Sequence, residues 1–488
     1  MQDIAQKPQP TLREESPPAP AAADGLPAGQ RGRSMLVIVL GLAVVVLDSS
    51  LLNLALPTIA RGFEAAASQT IWVVNAYQMA SLVLLLPLAA VGERIGYRRV
   101  YLWGMALFAL ASLGAIFAPT LGALIAARAL QGLGAAGVMS VNAVLVRLTF
   151  PRALLGKGLA YNSMVVAGAS VAGPAVAAAI LSVASWHWLL ALNVPLGLLT
   201  LWLGSKALPH NPAAAGGGDA RSFSMLDLVL NLAMFTLVFL GADALGVARK
   251  EEGGSMQGGY ALAGWAMLGA GVAIGAWHLR RQGRKARPLF PVDLLRIPVF
   301  ALSMASSVNA FCAQTLAFLA MPFLLLETYG HSALEAGLLL TAWPAAIVTV
   351  APLAGRLIGR YPDGLLGGVG MVVFAIGLWL LALLPAHPAD LDVVWRLALC
   401  GAGFALFQSP NNHTIVTSTP LARSGAGSAM LGTARLTGQT LGAIILAALF
   451  AIWPGHGGAA EMRALVAAGG FALVAGICSS LRVRQPLH

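Results

Sequence analysis

The sequence predicts an all-α polytopic membrane protein, and three observations carry that prediction. Of 488 residues, 58% are hydrophobic and 10% charged, against about 25% charged in ordinary soluble chains. The apolar residues come in runs of about 20, long enough to cross a bilayer as helices, without the alternation that a β-barrel strand requires. Most of the 30 Lys and Arg fall in the tails and in every second loop, the pattern of helical proteins whose basic loops stay in the cytoplasm. That asymmetry also accounts for the net charge of +11. No basic stripe with interleaved aromatics appears, so no nucleic-acid partner is expected.

Residues 1–34 are rich in Pro, Ala, Gly and charge and read as a disordered cytoplasmic tail. The run that follows is longer than a signal-peptide core and contains an acid, so it reads as an uncleaved first helix. A window of about 19 residues gives fourteen spans: 35–58, 70–91, 100–118, 121–146, 158–182, 187–205, 226–246, 260–279, 299–326, 335–358, 365–385, 394–417, 425–451 and 463–481. An even number agrees with two cytoplasmic termini, the second being the short tail 482–488. Residues 206–225 form a Pro/Gly-rich linker, and residues 280–298 carry the densest basic cluster, from Arg280 to Arg296. Between these linkers lies an additional helix pair, 226–279, with six helices before it (35–205) and six after it (299–481). The sets of six repeat weakly. Glu93-Arg94-Ile95-Gly96-Tyr97-Arg98-Arg99 follows the second helix of one, and Gly355-Arg356-Leu357-Ile358-Gly359-Arg360 ends the second helix of the other. Parallel six-helix repeats with a site between them are a known architecture of secondary transporters.

Among 19 Asp and Glu, Asp48 alone sits in the middle of an apolar run. An ionised side chain there costs roughly 2.5–3.5 kcal/mol on insertion scales, so an intramembrane acid marks a functional site by default. Arg128 and Arg435 are the two cations inside helices. Arginine does not deprotonate, so each must face an acid, a carbonyl or a cavity. Asp48 is the one deep carboxylate available to Arg128, directly or through water. Arg435 can play the same part in the second half or brace helix ends. Small residues, among them Gly168, Gly173, Gly438 and Gly442, allow close helix approach, and Gly173-Pro174 adds a bend.

The polar run Gln408-Ser409-Pro410-Asn411-Asn412-His413 is unusual within an apolar span. It supplies candidate substrate contacts in Asn411, Asn412 and His413, the last titratable near neutral pH. Phe311, Gln314, Phe318, Met321 and Trp343 are candidate cavity-lining residues in the second half, and Asn53, Tyr77 and Gln78 in the first. Cys312, Cys400 and Cys478 are far apart, with no metal-ligand or disulfide spacing. No nucleotide-binding Gly-Lys-Ser loop or His-Glu-x-x-His is present, so the chain does not read as an enzyme. No cofactor is expected, and the energy for transport is expected from an ion gradient or the solute's own gradient.

Several of these residues resemble the major facilitator superfamily, in particular its fourteen-helix drug:proton antiporter branch. Leu47-Asp48-Ser49-Ser50-Leu51-Leu52-Asn53-Leu54-Ala55-Leu56-Pro57 is similar to that branch's first-helix motif, and Leu124-x-x-x-Arg128-x-x-Gln131-Gly132-x-Gly134-x-Ala136 matches its motif B. Trp186-His187-Trp188 and Asn193-Val194-Pro195-x-Gly197 resemble the sixth-helix signature. Gln408 to Asn412 and the region around Arg435 resemble exporters of quaternary ammonium and viologen-type cations. Departures include Glu93 for the usual Asp and Tyr97 for a usual Arg.

The resemblance implies a major facilitator fold of two six-helix bundles plus two additional central helices. It implies a proton-coupled exporter of hydrophobic or cationic drugs in the bacterial inner membrane, expected as a monomer, with room for a periplasmic adaptor and an outer-membrane channel. Asp48 and Arg128 would couple the proton, and Gly173-Pro174 would form the antiporter bend. Glu93, Arg94, Gly96, Arg98 and Arg99 would form the cytoplasmic gate. The readings left beside it are an exporter of an endogenous amphiphile, such as a fatty acid or lysolipid, and a membrane subunit that transports nothing.

Overall fold

The computed structural model describes residues 25–151, 154–209, 225–248, 257–284, 291–419, 424–453 and 457–484. Among them, fourteen helices reach fifteen residues or more. The first six are α1 (Ala28–Gly62), α2 (Trp72–Ile95), α3 (Tyr97–Ile116), α4 (Leu121–Thr149), α5 (Leu155–Val183) and α6 (Asn193–Ala207). The pair α7 (Met225–Ala248) and α8 (Gln257–Gln282) follows. The last six are α9 (Pro298–Phe323), α10 (Ala333–Leu357), α11 (Asp363–Ala382), α12 (Asp390–Thr417), α13 (Ser424–Ile452) and α14 (Ala459–Leu481). No named strand occurs among the described residues, only a bridge between Ile358 and Tyr361.

Twelve stretches among the described residues are long and apolar enough to cross a membrane. The side chains of α5 are described continuously only over Ala172–Val183, itself an apolar stretch, and α12 carries the polar run ending in His413. The first helix also starts earlier than its hydropathy suggests, at Ala28. Residues 28–34 therefore belong to α1 rather than to a disordered tail, and buried Ser34 hydrogen-bonds Thr149 at 2.9 Å. The basic linker is likewise partly helical, because α8 continues to Gln282 and a short turn spans Val292–Leu295. The expected linker 206–225 falls largely outside the described residues.

The two sets of six repeat one another in their closest contacts. A Cβ on Gly132 of α4 would strike the Tyr77 carbonyl of α2, and one on Gly401 of α12 would strike the Trp343 carbonyl of α10. A Cβ on Gly134 would lie 2.5 Å from Phe108 N and 2.6 Å from Gly104 O. On Gly403 it would lie 2.5 Å from Phe374 N and 2.7 Å from Gly370 O. Lipid offers helices no hydrophobic reason to associate, so backbone-to-backbone packing through small residues holds such bundles together. The loops after α2 and α10 match too: Gly96 has φ 105° and Gly359 φ 83°, conformations that favour glycine. Within this scaffold Arg128 lies four residues before Gly132, and Leu397 takes the corresponding place before Gly401.

Successive helices run up and down, so α1 begins and α14 ends at one face, here the terminal face. Toward the opposite, far face a single apolar core joins both halves, from Leu51, Ile59 and Ala178 to Phe323, Leu340 and Phe450. There a Cβ on Gly337 of α10 would clash with Ala178 of α5 and lie 2.8 Å from the Pro174 carbonyl. Toward the terminal face the halves keep separate cores. One holds Met35, Tyr101 and Leu145; the other holds Phe300, Met304, Ile415 and Met430. The bundle is thus packed shut across its far side, while on its terminal side the two cores are separate and the halves meet along the α2/α13 seam. The pair α7–α8 lies over the α2/α13 seam, where Phe239 packs with Met79, Leu82, Leu85 and Leu436, and Asn231 Nδ2 donates to Val83 O at 3.0 Å.

Candidate functional site

Asp48 lies in α1, 1% exposed, inside the first half and toward the far face. Its partners come from two other helices. Arg128 and Gln131 stand three residues apart on α4, the spacing that puts two side chains on one helix face. Arg128 Nη1 donates to Asp48 Oδ2 at 2.8 Å, and Gln131 Nε2 donates to Oδ1 at 3.0 Å. Asn193, the first residue of α6, donates to the same Oδ1 at 2.6 Å. The guanidinium also donates to Val73 O at 3.1 Å and Gln131 Oε1 at 2.5 Å, and stacks over the Tyr77 ring 4.4 Å from its centroid. Gln131 Nε2 reaches Ser112 Oγ at 2.8 Å, closing the network onto α3.

Direct coupling of Asp48 to Arg128 is thus present. A buried charge is tolerable when paired and hydrogen-bonded on its remaining lone pairs. Here the carboxylate accepts three N–H groups and the guanidinium meets three acceptors and a π face. Gly132 and Gly134 allow this, because without side chains they bring α2 and α3 close enough for the Val73 carbonyl and Ser112 to take part. Asn193 stands in the motif quoted for the sixth helix, yet its place at a helix start gave no sign that it would turn inward to an acid.

Around this network several buried polar atoms have no partner: Tyr77 Oη, Gln78 Oε1, Asn53 Oδ1 and, in the second half, Trp343 Nε1. Trp343 packs against Phe318 at 4.7 Å and Phe374 at 5.4 Å between ring centroids. Phe311 packs edge-on against Phe404 at 5.5 Å, Met321 is buried in the far-side core, and Gln314 is half-buried.

The polar run on α12 sits elsewhere. Asn411 is buried but already engaged, donating to Ser307 Oγ and accepting from Arg482 Nη1, both at 2.8 Å. His413 lies near the terminal end of α12, 47% exposed, with Nδ1 2.6 Å from Asp363 Oδ2. It is far from the depth of Asp48 because it lies only four residues before the helix end at Thr417. Asn412 is half-buried.

Arg482 is a third buried cation, not part of a solvated tail. It donates to Ser303 Oγ at 2.8 Å, Ser479 O at 3.2 Å and Asn411 Oδ1. Burial lowers its pKa to about 10 and nearby Asp363 opposes that shift, so the group stays charged at neutral pH. Arg435, by contrast, is half-buried and makes no hydrogen bond or ion pair among the described residues; its Nε is shielded without an acceptor.

In the loop after α2, Gly96 makes the turn and Arg98 donates to Ser205 O, while Arg94 and Arg99 are exposed. The side chain of Glu93 lies outside the described residues. Gly173 packs against Ser50 of α1, two residues from Asp48, and Pro174 lies inside α5. Gly438 and Gly442 pack closely on α9, whereas Gly168 is exposed with nothing within 4 Å of a Cβ.

Comparison with known proteins agrees with this architecture. The model of the Major Facilitator Superfamily matches residues 38–309 and 302–488. The chain is 46% identical over 464 residues to the uncharacterized transporter YebQ of Escherichia coli (strain K12), covering 95% of this chain and 98% of that protein. It is 29% identical over 424 residues to the multidrug efflux pump LfrA of Mycolicibacterium smegmatis, covering 86% and 80%. A solved bacterial homologue of the human lysosomal transporter Spinster, in an inward-facing and unoccupied conformation, superposes with a TM-score of 0.63 at 14% identity, covering 94% and 98%. The duplicated six-helix scaffold, the buried acid in one half and the match along nearly the whole chain lead to one family: the protein belongs to the Major Facilitator Superfamily of membrane transporters.

Proposed function

We propose that this transporter is a proton-coupled antiporter that exports hydrophobic compounds by alternating access, with Asp48 as the proton acceptor. The observation that carries the reading is the Asp48–Arg128–Gln131–Asn193 network, a charge pair 1% exposed on both sides. In this conformation the carboxyl oxygens of Asp48 face only N–H donors. A proton on Asp48 removes the charge that holds Arg128 and turns one accepting oxygen into a donor, so at least one of the three N–H groups must move away. Those groups come from α4 and α6, so protonation is tied to repacking of α1 against them.

Such a two-state element, biased by a proton on one side and by cargo on the other, is what antiport requires. The packed far side and the divided terminal side support a cargo path that opens at the terminal face in this state. With the termini placed in the cytoplasm by the Lys/Arg excess, that path opens inward. We place the protein in the bacterial inner membrane, acting as a monomer; a periplasmic adaptor and outer-membrane channel would extend the route in a cell with two membranes. The similarity to a multidrug efflux pump supports export of drug-like compounds.

Lipophilic cations would need a reachable carboxylate, and Asp48 is enclosed by its three donors in this conformation. A second reading, export of an endogenous anionic amphiphile, uses the same path and is favoured by the unpaired Arg435. The test of coupling is substrate-induced proton movement in proteoliposomes holding only this chain. Asp48→Asn is expected to lower proton-driven transport at least about ten-fold. Transport by Asp48→Asn at the wild-type rate under a proton gradient would overturn the assignment, and proton movement by the wild-type chain alone excludes a non-transporting subunit.

A further inference from the structure

Among the described residues, the second half carries a cation with no balancing partner. Arg128, Arg396 and Arg482 each donate to carbonyls, hydroxyls or acids. Arg435 has no such partner among the described residues, and its Nε is buried without an acceptor.

The helix geometry says where the side chain points. Gly438 and Gly442 press on α9, a Cβ on the latter lying 2.6 Å from Cys312 O. Gly432 and Leu436 face α2, against Leu85 and Leu82. At about 100° of turn per residue, Arg435 falls on the arc between those two faces, which is the crevice between the halves. Tyr77 borders the same crevice from α2. It stacks on Arg128, and its buried hydroxyl has no partner. Asp48 cannot neutralise Arg435, because Arg128 already holds it at 2.8 Å. Among the described residues the crevice is therefore left with one unpaired cation and one unpartnered hydroxyl.

We propose that the crevice between α2, α9 and α13 is a subsite for an organic anion, with Arg435 as its charge partner and the Tyr77 hydroxyl as a second donor. An arginine stays protonated at any physiological pH, so a shielded one needs an acceptor, and an anionic head on an apolar body supplies it. A lipophilic cation meets repulsion at the same place. The proposal rests on the export reading only in taking this crevice as the cargo path.

The test uses two dyes on one xanthene scaffold, anionic fluorescein and cationic rhodamine 123. Their binding to the full chain in lipid nanodiscs is followed by fluorescence polarisation without any proton gradient. A charge-assisted hydrogen bond is worth roughly ten-fold or more in affinity, so fluorescein should bind at least about ten-fold tighter than rhodamine. Arg435→Gln should erase that preference and Arg435→Lys should keep most of it. Equal affinities in the wild type, or an unchanged ratio in Arg435→Gln, overturn the proposal. If Arg435→Gln fails to fold, the wild-type ratio and Arg435→Lys still decide. Competition with dodecanoate separates the sources of the anion: displacement of fluorescein supports an amphiphile as occupant, and retention supports an aromatic acid. Because binding is read without a gradient, a failure of proton coupling leaves this result standing, and the reverse holds too.

Discussion

Arg128→Gln isolates what the buried pair contributes to the fold. At 2.8 Å, two unit charges attract by about 6 kcal/mol at an effective dielectric of ~20. Desolvation of both groups offsets much of that, and breaking a buried pair from one side typically costs about 3–5 kcal/mol because an uncompensated charge remains. Here the survivor would be Asp48, left with Gln131 and Asn193 as donors, while Val73 O loses the Arg128 Nε bond. Arg128→Gln should therefore be strongly destabilised. The double variant Asp48→Asn/Arg128→Gln should recover a large part, with a coupling of roughly 2–3 kcal/mol, since no charge is then stranded. The assay is the half-life of the folded state in detergent at fixed temperature, since membrane proteins of this kind seldom unfold reversibly. If the double variant decays as fast as the sum of its singles predicts, the two groups are not coupled and the reasoning fails.

Other outcomes follow from the same structure. Gly401→Ala should lower stability by about 1–3 kcal/mol, since its Cβ would meet the Trp343 carbonyl, whereas Gly168→Ala should be neutral or slightly stabilising; melting curves of both check this. Gly96→Ala, at φ 105°, should destabilise by about 1 kcal/mol or more through backbone strain, read as a lower melting temperature. Arg482→Met should leave Asn411 Oδ1 and Ser303 Oγ without their donor and cost about 2–4 kcal/mol. Its signature is faster proteolysis where α9, α12 and α14 meet.

The pair at the centre of the site was legible because an acid inside an apolar run cannot be explained by solvation, and because Arg128 could reach few other carboxylates. Asn193 was not, since an Asn at a helix start, two residues before a Pro, is equally at home in solvent. Arg482 was hidden for a related reason: a basic residue just past a span reads as an interfacial anchor, and only the tertiary fold tucks it between α9, α12 and α14. The opposite error arose on α12. Hydropathy placed His413 within a span, but it sits only four residues before the helix end at Thr417, beside Asp363 and 47% exposed, so membership of an apolar span did not fix its depth. The early start of α1 escaped for the same reason, because the turn Ala28–Ser34 is helical without being apolar.

The matched glycine contacts carry a consequence for mechanics. Both halves are built on one framework, yet the place that holds Arg128 in the first holds buried Leu397 in the second. The halves are then alike in shape and unlike in compliance. In the proposed cycle, loss of the Asp48 charge would loosen a polar joint inside the first half, whereas the matching place in the second half holds Leu397 within the apolar core. The first half would then be the spring and the second the anvil, so grafting an acid–arginine joint at Leu397 and its neighbour on α9 would give a transporter whose stroke is driven from both sides.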